Sequence, residues 1–212
     1  MFSLLRPALS LLAVFVALFG VAYPYAITGI AQAVLPDQAN GSLIEKNGQV
    51  IGSSLIGQSF AEDKYFWPRP SATMGADPAD PAKSVSAPYN ATASSGSNLG
   101  PTAQALFDRL KGDIAHYKQG SPNNQGSVPT ELATASASGL DPHISPKAAV
   151  YQAARVAAAR GLPENSVRTL IDRQTEGGFL GLVGEPRVNV LVLNLALDAM
   201  SPATPSPNDR PR

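Results

Sequence analysis

Apolar residues crowd the start of the chain, where no charged residue occurs between Arg6 and Asp37. About 20 apolar residues let a helix cross a bilayer, and such a helix satisfies its own backbone where water is absent. The run therefore predicts a transmembrane anchor helix over about residues 9–30. Ala31-Gln32-Ala33 matches the cleavage pattern of a removed signal peptide. Against removal, the uncharged run exceeds the roughly 7–15 apolar residues of such peptides, and its basic flank is one arginine. The reading is a retained anchor. Pro24 predicts a kink near its far end, with Tyr23 and Tyr25 in the interfacial belt. Arg6 precedes the span and Asp37 is the first charge after it, so positive-inside bias puts the N-terminus in the cytoplasm and the rest outside.

Beyond the anchor, Ser42–Phe60 reads as short strands around Asn47-Gly48, a strong hairpin signal. Tyr65–Thr102 is rich in Pro, Ser, Ala, Gly and Asn, without sustained periodicity. Its cluster Tyr65-Phe66-Trp67 argues for an ordered loop, since disordered segments are poor in aromatics. Helical spacing returns over Pro101–Gln119, where Leu106, Leu110, Ile114 and Tyr117 share a face. Gly120–Gly126 is a polar break. Ser145-Pro146 is an N-cap followed by proline at the first helical position, and Gly161 marks the end of that helix. Leu162-Pro163-Glu164 opens another helix, with Val167, Leu170 and Ile171 inward and an end near Gly177-Gly178. A turn is expected at Phe179–Gly184. Val188–Leu197 fits strand and helix alike; Pro186 and the shared face of Val188, Leu191, Val192 and Leu195 favour helix.

The order predicts an α+β protein: one N-terminal transmembrane helix, then one extracytoplasmic mixed α/β domain with long ordered loops. The boundaries fall at 1–36 for the anchor segment and 37–200 for the domain. Residues 201–212 form a proline-rich tail, read as disordered.

Composition narrows the chemistry. Sixteen basic and 16 acidic residues cancel, so nothing marks a nucleic-acid surface. Cysteine is absent, which excludes disulfides, thiolate metal sites and thiol nucleophiles. With only two histidines, His116 and His143, no metal site is expected.

Four local motifs remain. Gly52–Ser59 resembles a phosphate-binding loop, but Gln58 stands where the lysine belongs, and a turn between strands accounts for it. Ser94-Ser95-Gly96-Ser97-Asn98 is a small-residue loop whose backbone can approach a ligand or another chain closely, or simply turn. In Gly139–Pro146, Asp141 and His143 read as an acid/base pair, as two metal ligands, or as the hydrogen-bonding groups of a turn. Tyr65, Phe66 and Trp67, with Arg69, read equally as an aromatic patch for a partner chain or as a plug beneath the long loop. No catalytic residue is assigned from the residues alone.

Five blocks together resemble the KdpC family, a subunit of bacterial potassium-transporting P-type ATPases. They are Tyr-Phe-Trp-Pro-Arg-Pro-Ser-Ala at 65–72, Tyr-Asn-Ala-Thr-Ala-Ser-Ser-Gly-Ser-Asn-Leu-Gly-Pro-Thr at 89–102 and Ser-Gly-Leu-Asp-Pro-His-Ile-Ser-Pro at 138–146. The helix Tyr151-Gln152-Ala-Ala-Arg155-Val156 and the ending Gly-Glu-Pro-Arg-Val-Asn-Val-Leu-Val-Leu-Asn-Leu-Ala-Leu-Asp at 184–198 complete the set. They run in the family's order to about Met200. Departures are small: Ala137 and Ser95 stand where the family favours glycine.

The resemblance implies an accessory, non-catalytic subunit of a high-affinity, ATP-driven potassium import complex in the bacterial inner membrane. Its partners would be a channel-like potassium-binding subunit, a P-type ATP-hydrolysing subunit, a small single-span subunit and membrane lipid. The family is described as a catalytic chaperone that raises the ATP affinity of the hydrolytic subunit, with a serine-glycine loop proposed as a nucleotide contact; Ser94–Asn98 is the nearest match here. ATP and K+ would be bound at the level of the complex, with no covalent cofactor. The sequence has no Asp-Lys-Thr-Gly-Thr phosphorylation motif. Partner-contact candidates are Tyr65, Phe66, Trp67, Arg69, Asp141 and His143. A different class stays open: a stand-alone, membrane-anchored envelope binding protein or hydrolase using Asp141 and His143.

Overall fold

A computed structural model describes residues 4–121, 124, 126–178 and 184–200. The chain forms two compact units, divided between Ser53 and Ser54. The tail 201–212 and most of the turn expected at Phe179–Gly184 lie outside the described residues.

The first unit begins with a helix running from Leu5 to Val34, long and apolar enough to cross a membrane. At 1.5 Å per residue its 30 residues span about 45 Å, more than a hydrocarbon core of about 30 Å. It comprises α1 (Leu5–Phe15), a π-helical stretch (Val16–Ala22) and α2 (Tyr23–Val34), and none of its side chains is buried. The π winding ends just before Pro24. That proline has no N–H to offer, and its ring crowds the carbonyl of Gly20, so wider winding accommodates the lost bond. A one-turn helix, α3 (Pro36–Ala39), leads into β1 (Leu43–Lys46) and β2 (Gln49–Ser53). These strands pair antiparallel through Lys46↔Gln49, leaving Asn47 and Gly48 as a two-residue turn. Both have positive φ, +55° and +76°, as a type I′ hairpin requires.

The second unit opens with a long segment containing only a short hairpin, β3 (Met74–Ala76) with β4 (Ser84–Ser86). This hairpin lies inside the stretch expected to be a loop. Next comes α4 (Gln104–Gly120), with Tyr117 buried and Leu106, Leu110 and Ile114 half-buried, as the spacing predicts. β5 (His143–Ile144) leads into α5 (Pro146–Arg160), capped by the Ser145 hydroxyl, which accepts the Ala148 N–H, and closed by Gly161 at φ +64°. α6 (Glu164–Arg173), β6 (Thr175–Glu176), β7 (Arg187–Asn189) and α7 (Val190–Met200) complete it. β7 is the middle strand of a three-stranded antiparallel sheet, with β5 and β6 on either side. The core joins Ala148, Ala149, Ala153, Val156 and Ala157 of α5 to Val167 and Ile171 of α6, Val188 of β7, and Leu193 and Leu197 of α7.

Two expectations need correction. Helix α6 ends at Arg173, short of Gly177-Gly178, because Thr175 and Glu176 instead pair with Val188 and Arg187 of β7. Val188–Leu197 is not one helix: Val188 and Asn189 belong to β7, and α7 begins at Val190. Asn189 makes the switch. Its carboxamide oxygen accepts the Val192 N–H, capping α7. The buried face of α7 is therefore Val190, Leu191, Leu193, Asn194 and Leu197, rotated from the one the periodicity favoured.

Candidate functional site

The segment from Tyr65 to Tyr89 has little regular structure, so its backbone groups need partners from side chains. Two buried carboxamides supply the first set. Gln152 on α5 accepts the Trp67 N–H at 2.8 Å and donates to the Trp67 carbonyl at 3.1 Å. Asn194 on α7 treats Phe66 identically, at 2.8 and 3.0 Å. Each carboxamide thus stands in for one residue of a neighbouring strand. Further along, Tyr117 donates to the Pro68 carbonyl and Tyr89 to that of Arg69, both at 2.7 Å. The Ser71 hydroxyl donates to the Gly139 carbonyl and accepts the Tyr89 N–H, while Thr73 donates to the Ala87 carbonyl. Burial pushes the phenols of Tyr89 and Tyr117 well above their ordinary range, so both stay protonated donors.

Phe66 and Trp67 are 0% and 5% exposed, which removes them from any surface open to a partner. Of the aromatic cluster, only Tyr65 keeps partial exposure; its hydroxyl contacts Asp198 at 3.3 Å. Trp67 stacks on His116, 4.3 Å between centroids, and the Arg155 guanidinium carbon sits 3.8 Å from its ring centre. The Arg155 side chain is 4% exposed and donates to the carbonyls of Asp63 and Tyr65 and to Gln152. Burial pulls its guanidinium down to about 10, so it remains charged at neutral pH.

The ordered segment presents Arg69 to the turn before α5. Arg69 Nη1 donates to Asp141 Oδ2 at 2.8 Å, and the His143 backbone N–H donates to Asp141 Oδ1 at 3.0 Å. His143 Nδ1 lies 3.4 Å from the same oxygen. Burial pushes the Asp141 carboxyl up, but the His143 hydrogen bonds and the Arg69 charge more than offset this, leaving it below its ordinary value. The three residues read from sequence as candidates, Arg69, Asp141 and His143, are thus brought together. They line a cavity of about 380 Å³ with Glu131, Ile144, Ser145, Glu185, Pro186 and Arg187. Glu131 accepts from both the N–H and the hydroxyl of Ser145. That hydroxyl also caps α5, so it is committed to structure. Among the described residues no group of three or more His, Asp or Glu is arranged to hold a metal ion.

The loop Ser94–Asn98 lies against a different neighbour. A Cβ on Gly96 would sit 2.8 Å from the Ala137 carbonyl oxygen, so the close backbone approach expected there is to this chain's own 136–139 turn. Ser94 and Ser95 donate to the carbonyls of Ser138 and Ala72, and Asn98 has φ +49°. Gly57, in the phosphate-loop-like stretch, has no room for a Cβ beneath the Tyr89 ring, and its N–H donates to the Leu140 carbonyl. No helix follows it before α4, so that stretch lacks the helix N-terminus that phosphate binding uses.

Sequence reasoning missed Glu131, Ser145, Glu185 and Arg187 as neighbours of Asp141. It also missed the clamps Gln152 and Asn194, whose signal was a carboxamide on an otherwise apolar helix face.

The family model described as KdpC, K+-transporting ATPase, c chain, matches residues 5–199. The chain is 62% identical over 195 residues to the potassium-transporting ATPase KdpC subunit of Rhodopseudomonas palustris (strain BisB5), covering 92% of this chain and 96% of that protein. Against the KdpC subunit of Bradyrhizobium diazoefficiens it is 60% identical over 194 residues, with the same two coverages. A KdpC subunit of Methylorubrum extorquens is 57% identical over 197 residues, 93% and 97% of the two chains.

Proposed function

The chain belongs to the KdpC family, the c chain of K+-transporting ATPases, and from that premise we propose that it is an accessory, non-catalytic subunit that assembles the transporter and raises the ATP affinity of its P-type subunit. The observation that carries this reading is the family match over residues 5–199, which spans the apolar helix and the folded unit alike. The anchor holds the chain in the bacterial inner membrane with its N-terminus in the cytoplasm, and residues 37–200 lie outside, over the channel-like potassium-binding subunit. The small single-span subunit and lipid complete its surroundings.

With ATP inside and the folded unit outside, any effect on nucleotide affinity travels through the anchor and the channel-like subunit. Direct contact by Ser94–Asn98 is the weaker route, because Gly96 already faces Ala137. The side chains of this chain therefore act by holding a surface in place. Gln152, Asn194 and Arg155 fix the Tyr65–Arg69 segment, and Arg69 fixes Asp141 in the wall of the cavity.

The test is a transporter purified with this chain truncated to its anchor, residues 40–200 removed, with ATP hydrolysis measured against ATP and K+ concentration. The reading expects KM for ATP to rise. Unchanged K+ affinity and ATPase rate would sink it. The envelope hydrolase alternative predicts activity in the chain alone, lost in His143→Ala.

A further inference from the structure

The cavity beside Asp141 has an unbalanced wall. Three carboxylates line it, Glu131, Asp141 and Glu185, with two guanidiniums, Arg69 and Arg187. Arg69 is paired with Asp141 at 2.8 Å. Arg187 is paired at 3.1 Å with Glu176, which is not part of the wall. Among the described residues Glu131 and Glu185 form no ion pair, so two negative charges are left without a counter-charge. Glu131 is held in place by two donors from Ser145, one of them a backbone N–H at the start of α5. Glu185 and the adjoining Pro186 and Arg187 are exposed at the rim. A cavity of about 380 Å³ with a fixed anion on one side and an exposed anion at its lip suits one long basic side chain.

We propose that this cavity is a docking socket for a lysine or arginine side chain of a neighbouring subunit of the transporter, with Glu131 and Glu185 as its counter-charges. The proposal rests on the subunit reading above. It gives the Arg69–Asp141–His143 cluster a role: the cluster holds the socket's wall in shape, and the paired charges of Arg69 and Asp141 cancel. The rim glutamate steers the incoming cation, and the inner glutamate fixes it.

The test uses the assembled transporter, captured from detergent-solubilised membranes through a tag on the P-type subunit and washed at rising salt. Glu185→Gln and the pair Glu131→Gln/Glu185→Gln are compared with the unmodified chain. Glu185→Gln is isosteric and lies at an exposed position; the Trp67 emission spectrum verifies the fold of the pair. The socket predicts about a tenfold loss of bound chain for the pair at physiological salt, a smaller loss for Glu185→Gln, and partial recovery when the partner's cation, located by cross-linking, is replaced by a neutral residue of similar length. Equal retention of all three chains across the salt series overturns the socket and leaves the subunit reading standing. Altered K+ dependence of ATP hydrolysis with unchanged retention also overturns it, pointing to a free cation in the cavity. Failure of the unmodified chain to co-purify at all would instead overturn the subunit reading.

Discussion

Replacing Gln152 by leucine removes the strand-like pairing to Trp67 while keeping side-chain volume close. The Trp67 N–H and C=O, both buried, then lose their partners, and Arg155 loses one of three acceptors. A buried polar group left unsatisfied costs about 1–3 kcal/mol, so the two backbone groups together cost roughly 2–6 kcal/mol. Leucine in place of a carboxamide in this apolar setting offsets about 1–2 kcal/mol. The expected net loss centres on about 2.5 kcal/mol with an upper end of about 5 kcal/mol, and the central figure is worth roughly 5–10 °C in Tm for a chain of this size. Trp67 is the chain's only tryptophan and sits at the perturbed point, so its emission reports both the clamp and global unfolding. The assay is urea unfolding of the full chain in detergent, alongside Arg168→Ala, which breaks only a half-exposed helix pair with Glu164 and should cost at most about 0.5 kcal/mol. A Gln152→Leu loss no larger than that of Arg168→Ala, with unchanged Trp67 emission, would refute the clamp.

Asn194→Leu should behave similarly through Phe66, and the double variant should lose less than the sum of the two, because both clamps hold one segment; strict additivity in the same titrations would mean they act separately. Gly139→Ala should cost more than about 2 kcal/mol, since φ there is +67° and a Cβ would lie 2.6 Å from Thr73 Cγ2 and 2.5 Å from the Ser95 carbonyl oxygen; near-wild-type unfolding would contradict this. Asp141 is held below its ordinary value, so its contribution is present above about pH 4 and is lost as pH falls through the lower folded value. Asp141→Asn should therefore be less stable than the unmodified chain at pH 7, with the two curves converging in acid; a pH-independent gap would contradict it. The chain has no cysteine, so a single Ser97→Cys labelled in intact cells by a membrane-impermeant maleimide reads its side of the membrane directly, with labelling expected.

Much of the architecture was legible because local signals carried it. The uncharged run gave the long helix, Asn47-Gly48 gave the hairpin turn, and Ser145-Pro146 with Gly161 bracketed α5 closely. Where the reading slipped, a long-range partner decided the outcome. Thr175 and Glu176 left the helical pattern to pair with β7, and Asn189 divided an apolar run that periodicity could not divide. The site was legible in part. Arg69, Asp141 and His143 stood out by residue type, and they do meet. Glu131 and Glu185 are ordinary surface glutamates in sequence, and only folding places them on one cavity. Phe66 and Trp67 showed the limit of composition: an aromatic cluster is equally apt for a core or an interface, and the choice here is made by Gln152 and Asn194, 85 and 128 residues away from the groups they clamp.

The central claim, that this chain works as an accessory subunit of a potassium-transporting ATPase, is tested most directly by purifying the tagged full-length chain from mildly solubilised membranes and identifying what accompanies it by mass spectrometry. The account predicts a P-type ATPase and a channel-like potassium subunit in comparable amounts. A stable, partner-free chain from membranes that contain both subunits would contradict it.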